Sequence, residues 1–175
     1  KSLTKQDAAD FGQGQQFCLA TNITFEQTGC KFRLVSSWGD TNIRSKLLGE
    51  FNVSNLLAAL ASQLVIGRTV EELSDITESL NPVAGRMELF SSDEQANIIV
   101  DYAHTPDALM QALNAARLHC NGKLVCIFGC GGDRDKGKRS VMGSIAEQHC
   151  DAIVITSDNS RSEKPEDIVK DNRKM

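Results

Sequence analysis

Three apolar runs in the second half of the chain, NIIVDYA, KLVCIFG and DAIVITS, are each followed by a segment of helical rhythm: TPDALMQALNAARLH, KRSVMGSIAEQH and KPEDIVKD. Short β-branched runs read as strands. Three strand–helix units in succession predict a parallel sheet, because right-twisted strands accept a crossover helix in one hand only. The fold class expected is α/β. Ligands of such sheets bind beyond the carboxyl ends of the strands. That directs attention to three polar segments: Asp101-Tyr102-Ala103-His104, the glycine-rich stretch after Phe128, and Ser157-Asp158-Asn159-Ser160-Arg161. Thr105 is placed to cap the first of these helices, with Pro106 in its first turn, where a missing amide costs nothing.

The first half has a different rhythm. FCLATNITFEQTGCKFRLVSSWG contains two β-rich runs around Thr28-Gly29 and predicts a hairpin. In GEFNVSNLLAALASQLVIG, Leu56, Leu57, Leu60, Leu64 and Val65 recur at helical spacing and Gly67 supplies a stop. Thr69-Val70-Glu71-Glu72 forms a capping box, so a second helix runs to about Leu80 and ends at Asn81-Pro82. The pattern changes after NPVAGRMELF, which places a domain boundary near Ala84 and divides the chain into 1–84 and 85–175.

Bulk properties narrow the classes of function. With 41% apolar and 24% charged residues the chain is globular in composition, and 175 residues suffice for one ordinary domain or parts of two. A net charge of −4 argues against a nucleic-acid scaffold, which needs clustered cations. No apolar stretch approaches the roughly 18 residues that cross a bilayer, and KSLTKQDAADFGQGQQ lacks the apolar core of a signal peptide. The six cysteines include no C-x-x-C pair, which points to reduced thiols in a cytoplasmic protein and away from a zinc site. A start without Met and an end inside a helical pattern, KDNRKM, lead us to expect a piece of a longer protein.

The glycine-rich stretch FGCGGDRDKGKRS holds the one basic cluster, Lys136, Lys138 and Arg139. Read from Gly132 it follows G-x-x-x-x-G-K, but Arg139 stands where a phosphate loop carries a Ser or Thr hydroxyl, and Asp133 and Asp135 would repel phosphate. The dinucleotide fingerprint fails as well, because Arg134 occupies its last glycine position. A ligand loop and a plain strand-to-helix turn both remain open. Asp101 suits a ribose hydroxyl or a turn at the helix entry, and His104 suits a ligand or packing. Arg86, at the expected boundary, is either a surface residue or a phosphate clamp. Asn52 and Asn55 open a helix; one can cap it, and an Asn amide also matches the edge of adenine. Asp158 and Arg161 can form a surface pair, or grip the ammonium and carboxylate of an amino acid.

Taken in order, GEFNVSNLLAALA, GRMELF, VDYAHTPDAL, CIFGCGGDRDKGKRSVMGSIA and TSDNSRSE closely resemble the Mur ligase family, from about Trp38 onward. The resemblance implies three domains and a shared reaction: ATP phosphorylates a substrate carboxylate, and an amino group attacks the acyl phosphate to give an amide, ADP and phosphate. Residues 1–84 would close the central ATPase domain, and 85–175 would form most of a truncated, Rossmann-like, parallel-sheet C-terminal domain. By the same resemblance Asn52, Asn55, Arg86, Asp101 and His104 would meet ATP, while Arg134, Asp158, Asn159, Ser160 and Arg161 would bind an incoming meso-diaminopimelate. The acceptor would be a UDP-MurNAc-dipeptide of peptidoglycan synthesis. The phosphate loop, the carbamylated lysine and the Mg2+ ligands would lie upstream, so the 175 residues alone should not turn over. Two positions depart from the family pattern: Phe51 replaces a frequent His, and Ser160 replaces the Pro of the signature Asp-Asn-Pro-Arg. Serine frees φ and restores an amide donor without removing Asp158, Asn159 or Arg161. Two other readings compete: a nicotinamide-dependent oxidoreductase domain, disfavoured by the failed fingerprint, and a non-catalytic ligase-like interaction module, against which Asn55, Arg86, Asp101 and Arg161 stand.

Overall fold

The computed structural model describes residues 16–173, so the reading of the polar N-terminal segment falls largely outside the described residues. Two compact units are present, one ending at Val100 and the other beginning at Asp101. No described helix is long and apolar enough to cross a membrane.

The first unit opens with an antiparallel meander of β1 (Cys18–Glu26), β2 (Gly29–Ser36) and β3 (Gly39–Ser45). The expected hairpin is there, turning at Gln27-Thr28, and its register slips between Thr21 and Thr24 where Asn22 takes a φ of 53°. Sequence reasoning missed β3. GDTNIRS buries only Ile43 and Ser45, and so lacks the apolar alternation that betrays a strand. Helix α1 (Glu50–Val65) lays Val53, Leu56, Leu60 and Leu64 on the sheet, against Phe32, Leu34 and Ile43. Val65 was expected on that face but is 64% exposed. It stands about 100° round the helix from Leu64, outside the stripe that the other four define.

Helix α2 (Val70–Ser79) begins with the expected capping box: the Glu72 amide donates to Thr69 Oγ1 at 3.2 Å and the Thr69 amide donates to Glu72 Oε2 at 3.1 Å. Its inner residues Val70 and Leu73 complete the core. The short strands β4 (Glu88–Phe90) and β5 (Ile98–Val100) then pair antiparallel.

In the second unit α3 (Pro106–Leu118), β6 (Val125–Phe128), α4 (Gly137–His149), β7 (Ala152–Ile155) and α5 (Pro165–Asn172) alternate as expected. Thr105 Oγ1 accepts from the Ala108 amide at 3.3 Å and Pro106 occupies the first turn. β6 and β7 pair in parallel, in register from Val125↔Ala152 to Phe128↔Ile155. Cys126 faces a core of Leu109, Leu113, Met142, Ala146 and Ile168, while Val125, Ile127 and Val154 on the opposite side are exposed. The expectation of three parallel strands holds for two, because Ile98–Val100 hydrogen-bonds antiparallel to Glu88–Phe90. A partner a few residues back in the chain is reached at small loop-closure cost.

Candidate functional site

The glycines after Phe128 serve close approach. A Cβ on Gly129 would lie 2.6 Å from the Thr156 carbonyl oxygen, and one on Gly132 would lie 1.9 Å from that of Ser160. One on Gly131 would lie 2.8 Å from Arg161 Nη1. Neither Gly129 nor Gly132 is among the residues with positive φ, so backbone freedom is not the requirement here. The loop after β6 thus packs directly on the loop after β7, and side chains at these positions would hold the two apart.

Hydrogen bonds close the same seam. The Gly132 amide donates to the Asn159 carbonyl at 2.8 Å, and Arg161 Nη1 donates to the Gly132 carbonyl at 2.7 Å. Asp133 receives the Ser162 amide at 3.1 Å and the Ser162 hydroxyl at 2.6 Å. Those bonds from Ser162 draw its carboxyl below the usual range. Glu163 accepts from the Asp133 amide at 2.7 Å, from Lys136 Nζ at 2.9 Å, and from both terminal nitrogens of Arg139. Hydrogen bonds from Arg139, then Lys136, hold the Glu163 carboxyl far below its ordinary range.

The basic cluster therefore has three separate fates. Arg139 is completely buried and bridges Glu163 and Asp171; its Nε is the one buried side-chain nitrogen among the described residues without a hydrogen bond. Lys136 pairs with Glu163, and Lys138 Nζ donates to the His104 carbonyl at 2.7 Å. Asp135 accepts from the Gly137 amide at 2.8 Å, at the mouth of α4. A phosphate cradle would need these groups unengaged. The turn reading of this loop accounts for Asp133, Asp135, Lys136 and Arg139.

Arg134, at the tip of the loop, is exposed and forms no ion pair among the described residues. Arg161 sits across the seam in the left-handed region, with φ 49°. Its amide donates to Asn159 Oδ1 at 3.3 Å, a turn that places the guanidinium over Gly132. The Asp158 carboxylate is exposed and makes no ion pair with Arg161, so the simple surface-pair reading does not hold. Ser160 accepts through its carbonyl from the Glu163 amide at 3.0 Å. Sequence reasoning weighed neither Glu163 nor Asp171. The available signal was the spacing of Arg139, Met142 and Ala146, which puts the arginine on the buried stripe of α4.

The segment after β5 is joined to this edge through Lys138. Asp101 Oδ1 accepts from the Ala103 amide at 2.9 Å, and His104 Nδ1 lies 3.0 Å from the Tyr102 carbonyl with the two rings edge to face. His104 is exposed, contrary to a packing role. In the first unit, Asn52 Nδ2 donates to the Leu48 carbonyl at 2.8 Å, and Asn55 Nδ2 donates to Asn52 Oδ1 at 3.2 Å. Asn52 is thus tied to the helix entry, while Asn55 is exposed, its side-chain oxygen without a hydrogen-bond partner among the described residues. Arg86 is exposed in a turn where its amide donates to the Val83 carbonyl at 3.0 Å. A cavity of about 340 Å³ lies on β2 and β3, lined by Lys31, Arg33 and Arg44, and contains none of these residues.

Comparison with known proteins gives two family matches: "Mur ligase middle domain" over residues 1–63 and "Mur ligase, glutamate ligase domain" over residues 85–174. The solved structure of a UDP-N-acetylmuramoyl-L-alanyl-D-glutamate--2,6-diaminopimelate ligase is 40% identical, with a TM-score of 0.70 over 93% of this chain and 33% of that one. A UDP-N-acetylmuramoylalanyl-D-glutamyl-2,6-diaminopimelate--D-alanyl-D-alanyl ligase from Acinetobacter baumannii shares the fold at 24% identity, with a TM-score of 0.70 over 93% of this chain and 35% of that one. A MurF ligase from Thermotoga maritima in complex with ADP does so at 18% identity, with a TM-score of 0.62 over 87% of this chain and 35% of that one. The chain spans about a third of the length of these proteins. Two family matches in chain order, and a 40% identical relative that covers nearly all of these residues, establish that the chain belongs to the Mur ligase family.

Proposed function

We propose that this chain is part of an ATP-dependent amide ligase that adds meso-diaminopimelate to UDP-MurNAc-L-Ala-D-Glu in peptidoglycan synthesis, in the cytoplasm. Residues 1–84 belong to its central domain and 85–175 to its C-terminal domain. The observation that carries the reading is the seam between the glycine loop and the Asp158–Arg161 loop. There Arg161 commits Nη1 to the Gly132 and Asn159 carbonyls and keeps Nη2 and Nε without a hydrogen-bond partner among the described residues. A guanidinium held by one corner presents its other edge as a two-pronged donor, the geometry that matches a carboxylate. Asp158 beside it accepts the ammonium of the same amino acid, and Arg134 meets its second carboxylate. Asn159 shapes the turn through its bond to the Arg161 amide, and Ser160 ties it to Glu163.

ATP supplies the phosphoryl group that turns the acceptor carboxylate into an acyl phosphate; attack by the amino group then forms the amide and releases phosphate. In this reading Asn55 offers its acceptor and remaining donor to adenine, with Asn52 holding it in place. Asp101 takes the ribose hydroxyls, His104 offers Nε2 to the nucleotide, and Arg86 takes the phosphates. The ADP complex of the Thermotoga maritima relative supports nucleotide use. The described residues include no group of three or more His, Cys, Asp or Glu able to hold a metal ion, so no step is assigned to Mg2+ on them.

Calorimetric titration of the full-length protein carrying this chain tests the proposal. Binding of meso-diaminopimelate but not of lysine or NAD is expected. Arg161→Lys should weaken that binding more than about tenfold, because a point charge cannot replace the fork. NAD binding, or a loss under about twofold for Arg161→Lys, refutes the assignment.

A further inference from the structure

Arg139 occupies a core position of α4, in line with Met142 and Ala146, and is 0% exposed. A buried ion pair seldom improves stability over an apolar side chain of similar size, so a cation here calls for another reason. Its contacts supply one. Nη1 donates to Glu163 Oε2 at 3.0 Å and to Asp171 Oδ2 at 3.0 Å; Nη2 donates to Glu163 Oε1 at 2.8 Å and to the Gly131 carbonyl at 3.4 Å. One side chain thus reaches the loop after β6, the loop after β7 and the last helical turn of α5. Glu163 passes the restraint on to the Asp133 amide, and Asp133 in turn holds Ser162.

Two non-glycine residues in this network have left-handed backbones, Asp133 at φ 52° and Arg161 at φ 49°. Such conformations persist only when the surroundings over-determine them. Asp133 directly precedes Arg134, and Arg161 is itself an exposed cation of the seam. Releasing the network frees both positions to leave the left-handed region, and each change of backbone swings one guanidinium away.

We propose that Arg139 is a positioning residue for amino-acid recognition: through Glu163 and Asp171 it locks the two strand-end loops in one register, so that Arg134 and Arg161 meet a diamino dicarboxylic acid at a set separation. This rests on the ligase reading above.

The test uses the full-length protein with two substitutions. Arg139→Lys keeps the charge but cannot span Glu163, Asp171 and Gly131 at once. Asp133→Gly removes the latch to Ser162 from an exposed loop, at a φ that glycine adopts freely, and so decides the matter should the first variant not fold. KM for meso-diaminopimelate should rise about tenfold in each, with KM for ATP and kcat at saturating amino acid within about twofold of the parent. The amides of Gly132 and Ser162 should also lose protection from hydrogen exchange. Folded variants with unchanged KM for the amino acid, or with KM for ATP raised equally, overturn the proposal. If the parent ligates no diamino acid, the ligase reading fails. Hydrogen exchange then still decides the lock: lost protection supports it and unchanged protection refutes it.

Discussion

Replacing Gly132 by alanine isolates the physical reason for the glycine loop. A Cβ there would sit 1.9 Å from the Ser160 oxygen and 2.6 Å from its carbonyl carbon, both backbone atoms that no side-chain rotation can move. Relief requires the two loops to part by more than an ångström, on the order of the overlap relative to ordinary contact distances. Two hydrogen bonds then go: the neutral Gly132 amide to Asn159, worth about 0.5–1.5 kcal/mol, and the charge-assisted Arg161 to Gly132 carbonyl, worth about 1.5–3 kcal/mol. Alanine recovers about 0.4–1 kcal/mol by restricting the unfolded chain, which leaves a net loss of about 1–4 kcal/mol, centred on roughly 2.5 kcal/mol. For a unit of this size that is a fall in Tm of about 10–20 °C. Urea denaturation of the parent and variant measures it directly. Two controls sharpen the result. Gly131→Ala collides with the flexible end of Arg161 alone, the Asn159 carbonyl oxygen and Asp158 Oδ2 lying at ordinary contact distance, so it should cost little stability while weakening the amino-acid binding proposed above. Gly122→Ala meets nothing within 4 Å and should be neutral. A Gly132→Ala protein within about 0.5 kcal/mol of the parent, or one more stable than Gly131→Ala, refutes the close-approach argument.

Acid lability and thiol reactivity provide further tests. The carboxyls of Glu163, Asp133 and Asp151 are all held low in the folded state: Glu163 by Arg139, Asp133 by Ser162, and Asp151 by the Leu124 amide and Arg117. The unfolded chain therefore binds more protons in acid, so their stabilisation is complete above the ordinary carboxylate values near about 4 and is lost as pH falls below them. Denaturation midpoints should drop steadily from about pH 5 to pH 3, and Glu163→Gln should flatten that slope; an unchanged slope in the variant contradicts the pairing. Burial pushes the Cys126 thiol up to about 12 and the Cys30 thiol to about 11. Treated with an aromatic disulfide reagent near about pH 8, these two should be the last of the six cysteines labelled, as read by mass spectrometry of peptides. Early modification of either shows that its core opens more readily than the packing implies.

Much of the fold was legible because its signals are local. The capping box of Thr69 and Glu72, the Thr105-Pro106 helix start and the apolar stripe of α1 each depend on residues within one or two turns; the first two formed as read, and the stripe formed without Val65. β3 escaped because its inward residues are few, and β5 found its partner in a hairpin that periodicity does not encode. The order of motifs also sufficed to identify the family, since the same segments recur in the same sequence along a shared chain path. What GCGGDRDKGKR does was beyond local reasoning. Its glycines answer to Thr156, Ser160 and Arg161, and its Arg139 to Glu163 and Asp171, all more than twenty residues away. Residue type and spacing determined which groups could act at the ends of β6 and β7. Only tertiary structure decided which of them were buried as struts and which were left facing water, because burial and pairing arise from long-range approach of the chain to itself.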